Sequence, residues 1–257
     1  MYGLNEIGII AFMIAPAEEM SLNFLRSVEI AKETYSFFFS RPENFIFNAG
    51  QYGRFSLELD DVDPRGFKRP FTLCSSPLDD ELMITTKIAE LKSPFKKKLK
   101  SLEEGDKVTF FGPLGNFVLP EQSDRSIVLL AGGIGITPFH SMLRFASKTN
   151  YSIPTTLIAS FSSIEETIFY DELTDITMQN SYLQAVYTIT HQEESQNDWV
   201  GEKGRISEEM IKRYVADSRN SLYYLCGPEK MVLAMEELVK DMNVADDNIR
   251  KENITGY

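Results

Sequence analysis

Residues 129–143 read LLAGGIGITPFHSML, with Gly132, Gly133 and Gly135 crowded ahead of Ile136, Thr137 and Pro138, and Ile134 between them. The run follows an apolar strand and opens a helical pattern, which Thr137 can cap and Pro138 can start. A glycine turn there lets a pyrophosphate meet free backbone N–H groups at a helix N-terminus. The same spacing also suits a tight strand–helix corner packed by glycine, and both readings stand at this point. A second stretch, YLCGPEKMV (224–232), ends a strand in Cys226, Gly227 and Pro228 and continues through Met231. In an open α/β sheet it belongs at the same carboxyl edge as the glycine turn. A thiol at a strand end suits a ligand crevice, although a small buried cysteine is the commoner fate. A third stretch, RPFTLCSSP (69–77), brings a cation, a ring and a hydroxyl within four residues. Strand alternation puts Arg69 and Phe71 on one side and Thr72 on the other.

Other chemistries are disfavoured by composition. The two cysteines, Cys74 and Cys226, are too few for a zinc or iron–sulfur site held by this chain, and two histidines are too sparse for most metal sites. A net charge of −12 argues against nucleic acid, which needs a cationic face.

The elements that must position these residues change character along the chain. From about 22 to 120, six short runs rich in aromatic and β-branched residues predict a small antiparallel barrel. These are residues 22–31, 34–40, 51–59, 68–76, 81–88 and 107–115. One helix interrupts them at 93–102, with Ser93 as its cap and Pro94 at its first position. Beyond about 122, apolar strands at 126–131, 155–160, 185–190 and 222–226 alternate with helical stretches at 138–147, 165–173, 207–215 and 228–242. That alternation predicts parallel strands with crossover helices.

The combination resembles the ferredoxin–NADP reductase family of flavoprotein reductases. The likeness is carried, in order, by Arg69-Pro70-Phe71-Thr72 (Arg-x-Tyr-Ser/Thr in the family), Gly112-Pro113-Leu114-Gly115, the run from Gly132 to Pro138, and Cys226-Gly227-Pro228. It extends over residues 22–257. It implies an FAD-binding antiparallel Greek-key β-barrel over 20–121, then an NAD(P)-binding α/β domain with a doubly wound parallel sheet over 122–257. It further implies that Arg69 pairs with the flavin pyrophosphate, Phe71 covers the isoalloxazine and Thr72 hydrogen-bonds near its N5. Thr85, Thr86 and Lys87 fall where the family makes its next flavin contacts, and Lys92 and Ser93 open the helix that receives the flavin phosphates. Cys226 and Glu252 would flank the nicotinamide and, with Thr72, form the catalytic set. Phe71 stands where tyrosine is usual. Ile254 stands where a terminal aromatic is common, which leaves Tyr257 as a candidate cover for the flavin.

The activity implied is hydride transfer from NAD(P)H to FAD, then electron transfer to a separate acceptor such as ferredoxin, flavodoxin or an oxygenase component. A flavin reductase releasing free reduced flavin and a non-catalytic nucleotide-binding subunit are the alternatives. NADH is favoured over NADPH because no Lys or Arg lies between Lys148 and Lys203, where nine carboxylates occur. Ser162 and Ser163 remain as hydrogen-bonding groups for the nucleotide, and Arg205 is the next cation. The helix KSPFKKKLK (92–100) offers Lys96, Lys97, Lys98 and Lys100 as an acceptor-docking face, or merely as a solvated one. The apolar run at 7–16 is too short to span a bilayer and lacks the flank of a secretory signal. The expectation is a cytoplasmic protein without a transmembrane segment.

Overall fold

Phenylalanine spacing explains the first half of the molecule. In the computed structural model, which describes residues 15–88, 93–192 and 198–254, Phe37 and Phe39 point inward and Phe38 points outward beneath the Arg26 guanidinium. The expectations for Lys92 and Tyr257, and for residues 7–14 of the apolar run, lie outside the described residues. The chain divides between Glu121 and Gln122 into two compact units.

The first unit contains strands β1 (Glu18–Ala31), β2 (Thr34–Ser40), β3 (Tyr52–Ser56), β4 (Lys68–Thr72), β5 (Glu81–Lys87) and β6 (Lys107–Leu114). They lie in the order β4-β3-β6-β1-β2-β5, and every neighbouring pair is antiparallel. Just beyond β4, the Cys74 amide donates to the Met83 carbonyl on β5 at 2.7 Å, which joins the two edge strands and closes the barrel. The core is aromatic: Phe39 meets Phe55 at 5.2 Å between centroids, and Phe55 meets Phe110 at 5.0 Å. Strand β4 stops at Thr72, four residues before the expected end at Ser76. Ser75 and Ser76 instead serve the turn, where the Ser75 hydroxyl accepts from the Met83 amide and the Ser76 amide donates to Asp79. Helix α1 (Pro94–Lys100) buries Phe95 and Leu99, and the Ser93 hydroxyl caps it by accepting from the Lys96 amide.

The second unit is a parallel six-stranded sheet in the order β10-β9-β8-β7-β11-β12. Its strands are β7 (Ile127–Gly132), β8 (Thr155–Phe161), β9 (Leu183–Ile189), β10 (Glu202–Lys203), β11 (Leu222–Gly227) and β12 (Ile249–Asn253). Helices α2 (Thr137–Ser147), α3 (Tyr170–Gln179), α4 (Glu208–Tyr214) and α5 (Glu229–Asp241) connect them. All six residues of β7 are buried, as a central strand with covered faces requires.

Two features depart from the sequence reading. The helix expected at 165–173 is broken into a 3-10 turn (Ile164–Glu166) and α3, because Phe169 adopts a left-handed conformation with φ 60°. The His140 ring stacks on Phe169 at 3.8 Å, and the Tyr187 hydroxyl donates to the Phe169 carbonyl, so packing holds the break. Strands β10 and β12 are additional to the four expected.

Candidate functional site

Register decides what meets at the carboxyl edge of the parallel sheet. Cys226 is paired with Ala131 on β7 and with Glu252 on β12, and Gly132 is paired with Ser160 on β8. The glycine turn therefore stands beside the Cys-Gly-Pro turn, with Glu252 on the next strand. Contact between the two turns is close. A Cβ on Gly135 would lie 2.2 Å from the Cys226 carbonyl oxygen, and one on Gly132 would lie 2.1 Å from the Met231 sulfur and 3.2 Å from Pro228 Cδ. Glycine is thus required by packing at these two positions, whereas Gly133, with φ 51°, has no other atom within 4 Å of where a Cβ would stand.

The helix start differs in detail from expectation. Gly133, Ile134, Gly135 and Ile136 form a 3-10 turn, so Ile136 occupies the cap position of α2 and Thr137 and Pro138 are its first two residues. Thr137 makes no side-chain capping bond, because the extra turn moves the helix boundary one residue back.

The electrostatics of this edge are those of a dry site. Cys226 is fully buried, and burial, followed by the neighbouring Glu252 charge, pushes its thiol well above the ordinary value. The residue is a neutral thiol and not a thiolate nucleophile. Burial pushes Glu252 up to about 7, and its Oε2 is buried without a hydrogen-bond partner. An orphaned buried polar atom on the strand next to the Cys-Gly-Pro turn fits a polar ligand such as a nicotinamide amide.

Ser162 and Ser163 follow β8. Ser163 is buried and starts the 3-10 turn that carries Glu165 and Glu166, while the Ser162 carbonyl accepts from the His191 amide at 2.8 Å. The structure thereby adds Thr190 and His191, which follow β9, to the same edge. Their only sequence signal is position, directly after a parallel strand.

In the barrel unit, Arg69 and Phe71 share one side as alternation requires, and both meet Phe95. The Arg69 guanidinium lies 5.3 Å from the Phe95 centroid, and the Phe71 ring lies 5.9 Å from it and 5.8 Å from Phe55. Pro70 is exposed, while Thr72 is half-buried opposite Tyr52. Thr85 and Thr86 are buried on β5, where the Thr85 hydroxyl pairs with Ser36 at 2.8 Å. Lys87 ends β5, and its carbonyl accepts from Lys96 Nζ.

The anion position expected at Ser93 is taken by a carboxylate of the chain itself. Asp63 Oδ2 accepts from the Ser93 hydroxyl at 3.2 Å and the Phe95 amide at 3.3 Å, and it pairs with the Arg69 guanidinium at 2.6 Å. Burial opposes the charge on Asp63, but the Arg65 and Phe95 amides, Arg69 and Ser93 outweigh it and hold the carboxyl below its ordinary value.

Three lysines of α1 have neighbours within the unit, which suits the solvated alternative to a docking face. Lys97 lies 3.7 Å from Asp61, Lys98 lies 3.6 Å from Asp60, and Lys100 sits 3.1 Å over the Tyr35 ring. Among the described residues, no group of three metal-ligating side chains occurs and no helix is long and apolar enough to cross a membrane.

A barrel of antiparallel strands and a parallel α/β unit with a glycine turn at its carboxyl edge define a two-domain flavoprotein-reductase fold. The oxidoreductase NAD-binding domain family matches residues 129–237 of the chain. It is 26% identical over 222 residues to the glycine betaine monooxygenase reductase subunit of Chromohalobacter salexigens, covering 84% of this chain and 60% of that one. It is 27% identical over 227 residues to the flavohemoprotein of Bacillus subtilis, covering 86% and 56%. The chain thus spans little more than half the length of these relatives. Among solved structures, Amycolatopsis cytochrome P450 reductase GcoB superposes with a TM-score of 0.80 at 23% identity, covering 94% of this chain and 71% of that one. A ferredoxin NADP+ reductase from Neisseria gonorrhoeae with bound FAD and NADP gives 0.74 at 23% identity, covering 91% and 98%.

Proposed function

We propose that the chain is an FAD-dependent NAD(P)H reductase that passes electrons to a separate acceptor, either a ferredoxin-like carrier or an oxygenase component. The observation that carries this reading is the in-register pair Cys226 and Glu252 beside the glycine turn. The cofactors would supply hydride acceptance and one-electron release. The chain's own residues bind and orient. The turn from Gly132 to Pro138 receives the nucleotide diphosphate. Gly227, Pro228 and Met231 shape the wall beside it, and Cys226 and Glu252 bound the nicotinamide place. Ser162 and Ser163 meet the far ribose. In the barrel, Phe71 and Thr72 line the isoalloxazine place, with Thr85, Thr86 and Lys87 on the adjoining strand. A buried, uncharged thiol and a buried carboxyl keep water away from the transferring carbon.

The acceptor class rests on relatives named as a monooxygenase reductase subunit and as the ferredoxin reductase in carbazole 1,9a-dioxygenase. Purified protein should be yellow, release FAD on heating, and oxidise NADH with ferricyanide and at least one carrier from a panel of ferredoxins, flavodoxins and oxygenase components. A colourless protein that cannot be reconstituted with FAD removes the reading. Turnover with free flavin alone would favour a flavin reductase.

A further inference from the structure

Four described residues other than glycine have a left-handed backbone: Glu33, Asn44, Phe169 and Asn243. Asparagine tolerates that region, whereas a bulky aromatic residue enters it only when its surroundings hold it there. Phe169, with φ 60°, ends the loop 162–169, which follows β8 and begins with Ser162 and Ser163.

The surroundings of Phe169 supply the hold. The ring of His140, fully buried on α2, stacks on the Phe169 ring with centroids 3.8 Å apart and planes 24° from parallel. His140 Nε2 donates to Glu172 Oε2 at 2.9 Å, and Arg144 donates to the other oxygen. Burial opposes the charge on Glu172, but His140 and Arg144 outweigh it and hold its pKa down at about 2, so the carboxylate remains an acceptor. The imidazole is thus fixed by its edge while its face bears on Phe169. The Phe169 carbonyl is held as well, accepting from the Leu173 amide at 3.0 Å and the Tyr187 hydroxyl at 3.2 Å.

The loop is fastened at both ends. At its start, the Thr190 amide donates to the Phe161 carbonyl at 2.9 Å and the His191 amide to the Ser162 carbonyl at 2.8 Å. At its finish, the fastening is to His140, one turn into the helix that the glycine turn opens. A single helix therefore carries the glycine turn at its head and the residue that braces the neighbouring loop. Backbone strain held in place by its surroundings points to a functional constraint.

We propose that His140 is a positioning residue for the nucleotide: by stacking on Phe169 it keeps that residue left-handed, and so sets how far the Ser162–Ser163 loop stands from the glycine turn. This rests on the functional reading above, in which the turn receives the diphosphate and the loop meets the far ribose. His140 is fully buried and acts through the backbone.

The test compares Phe169→Ala with Phe169→Gly in the full chain carrying its flavin. Both remove the ring, but only glycine keeps a left-handed backbone at little steric cost. The dissociation constant of ADP-ribose, the part of NADH without the nicotinamide, is read by titration calorimetry, with NADH–ferricyanide kinetics beside it. Phe169→Ala should weaken ADP-ribose about tenfold and raise the KM for NADH as much, with kcat within about twofold of the parent. Phe169→Gly should stay within about threefold of the parent in all three quantities. His140→Ala, which strips Phe169 of its stack, should behave like Phe169→Ala, and adding Phe169→Gly to it should restore binding. A purely structural loss would lower the melting temperature of both Phe169 variants and leave their affinities alike. ADP-ribose affinities that agree within about threefold between Phe169→Ala and Phe169→Gly overturn the proposal. A His140→Ala protein that binds like the parent overturns it too; should that variant not fold, the Phe169 pair decides alone. If the unaltered protein binds no ADP-ribose, the functional reading fails and this inference falls with it, a result distinct from two alike variants.

Discussion

Glu252 has no hydrogen-bond partner at Oε2 and is pushed up to about 7 from an ordinary 4.5 by burial. Because the folded value is the higher one, the folded state binds the proton more tightly. Stability then falls as pH climbs from about 4.5 to about 7 and is level above that. The difference amounts to about 3 kcal/mol at neutral to alkaline pH. Glu252→Gln should therefore lie within about 1 kcal/mol of the parent at pH 5 and be more stable at pH 8 by up to about 3 kcal/mol, as read from urea unfolding at both values. Cys226 calls for a kinetic test. Cys226→Ala should retain FAD and slow flavin reduction in stopped flow roughly tenfold, or about 1.4 kcal/mol of barrier; an unchanged rate makes the thiol a packing residue only. The glycines separate by what they touch. At Gly135 a methyl meets the Cys226 carbonyl, which is backbone, whereas at Gly132 it meets the flexible Met231 side chain. Gly135→Ala should cost about 1–3 kcal/mol and Gly132→Ala clearly less, with thermal unfolding as the measure. The glycines and Cys226 were legible in the sequence because residue type alone restricts their use. Asp63 was not: in the acid-rich DDVDPRG it looks like any solvated loop carboxylate, and only the fold shows it buried on Arg69.

At the scale of elements, strands with inward-facing aromatics were legible, and so were the apolar strands β7 to β9 and β11. Strand β12 was not, because IRKEN is a charged edge sequence whose extended form comes from pairing with β11. Helix α3 was misplaced because nothing in SIEETIFYDEL signals that His140 will stack on Phe169 and hold a left-handed residue there. The same region is fastened by Glu172, which accepts from both His140 and Arg144 across from α2. For α1, the neighbouring aspartates decide the expected behaviour. Replacing Lys97 and Lys98 with Gln should change stability by less than about 1 kcal/mol, as exposed pairs do. It should also leave the KM for an acidic carrier within about threefold, because the removed charge is already balanced nearby. A tenfold rise in KM at unchanged ferricyanide turnover would instead favour the helix as a docking face.

For the molecule as a whole, the −12 charge is unevenly spent. The stretch from 149 to 202 contains nine Asp and Glu residues and no Lys or Arg, and Glu165 and Glu166 follow Ser162 and Ser163 with only Ile164 between them. A 2′-phosphate brought there meets acid without a compensating cation. Steady-state kcat/KM should be at least about tenfold higher for NADH than for NADPH, or about 1.4 kcal/mol. The reverse ratio would show that Arg205 or the serine hydroxyls supply the phosphate site.

Strand β7 lies between β8 and β11, and every one of its residues is buried. On the ribosome its first partner emerges soon after it, but β11 follows only after roughly ninety further residues, on the order of 5–20 s of synthesis. Throughout that interval the nascent chain carries an apolar strand with one unpaired edge, a state prone to wrong pairing. The glycine turn cannot settle against the Cys226 carbonyl until that edge is filled. Nucleotide binding is therefore acquired late, after the barrel's strands have left the ribosome, and the exposed β7 edge is where a chaperone would have the most to protect.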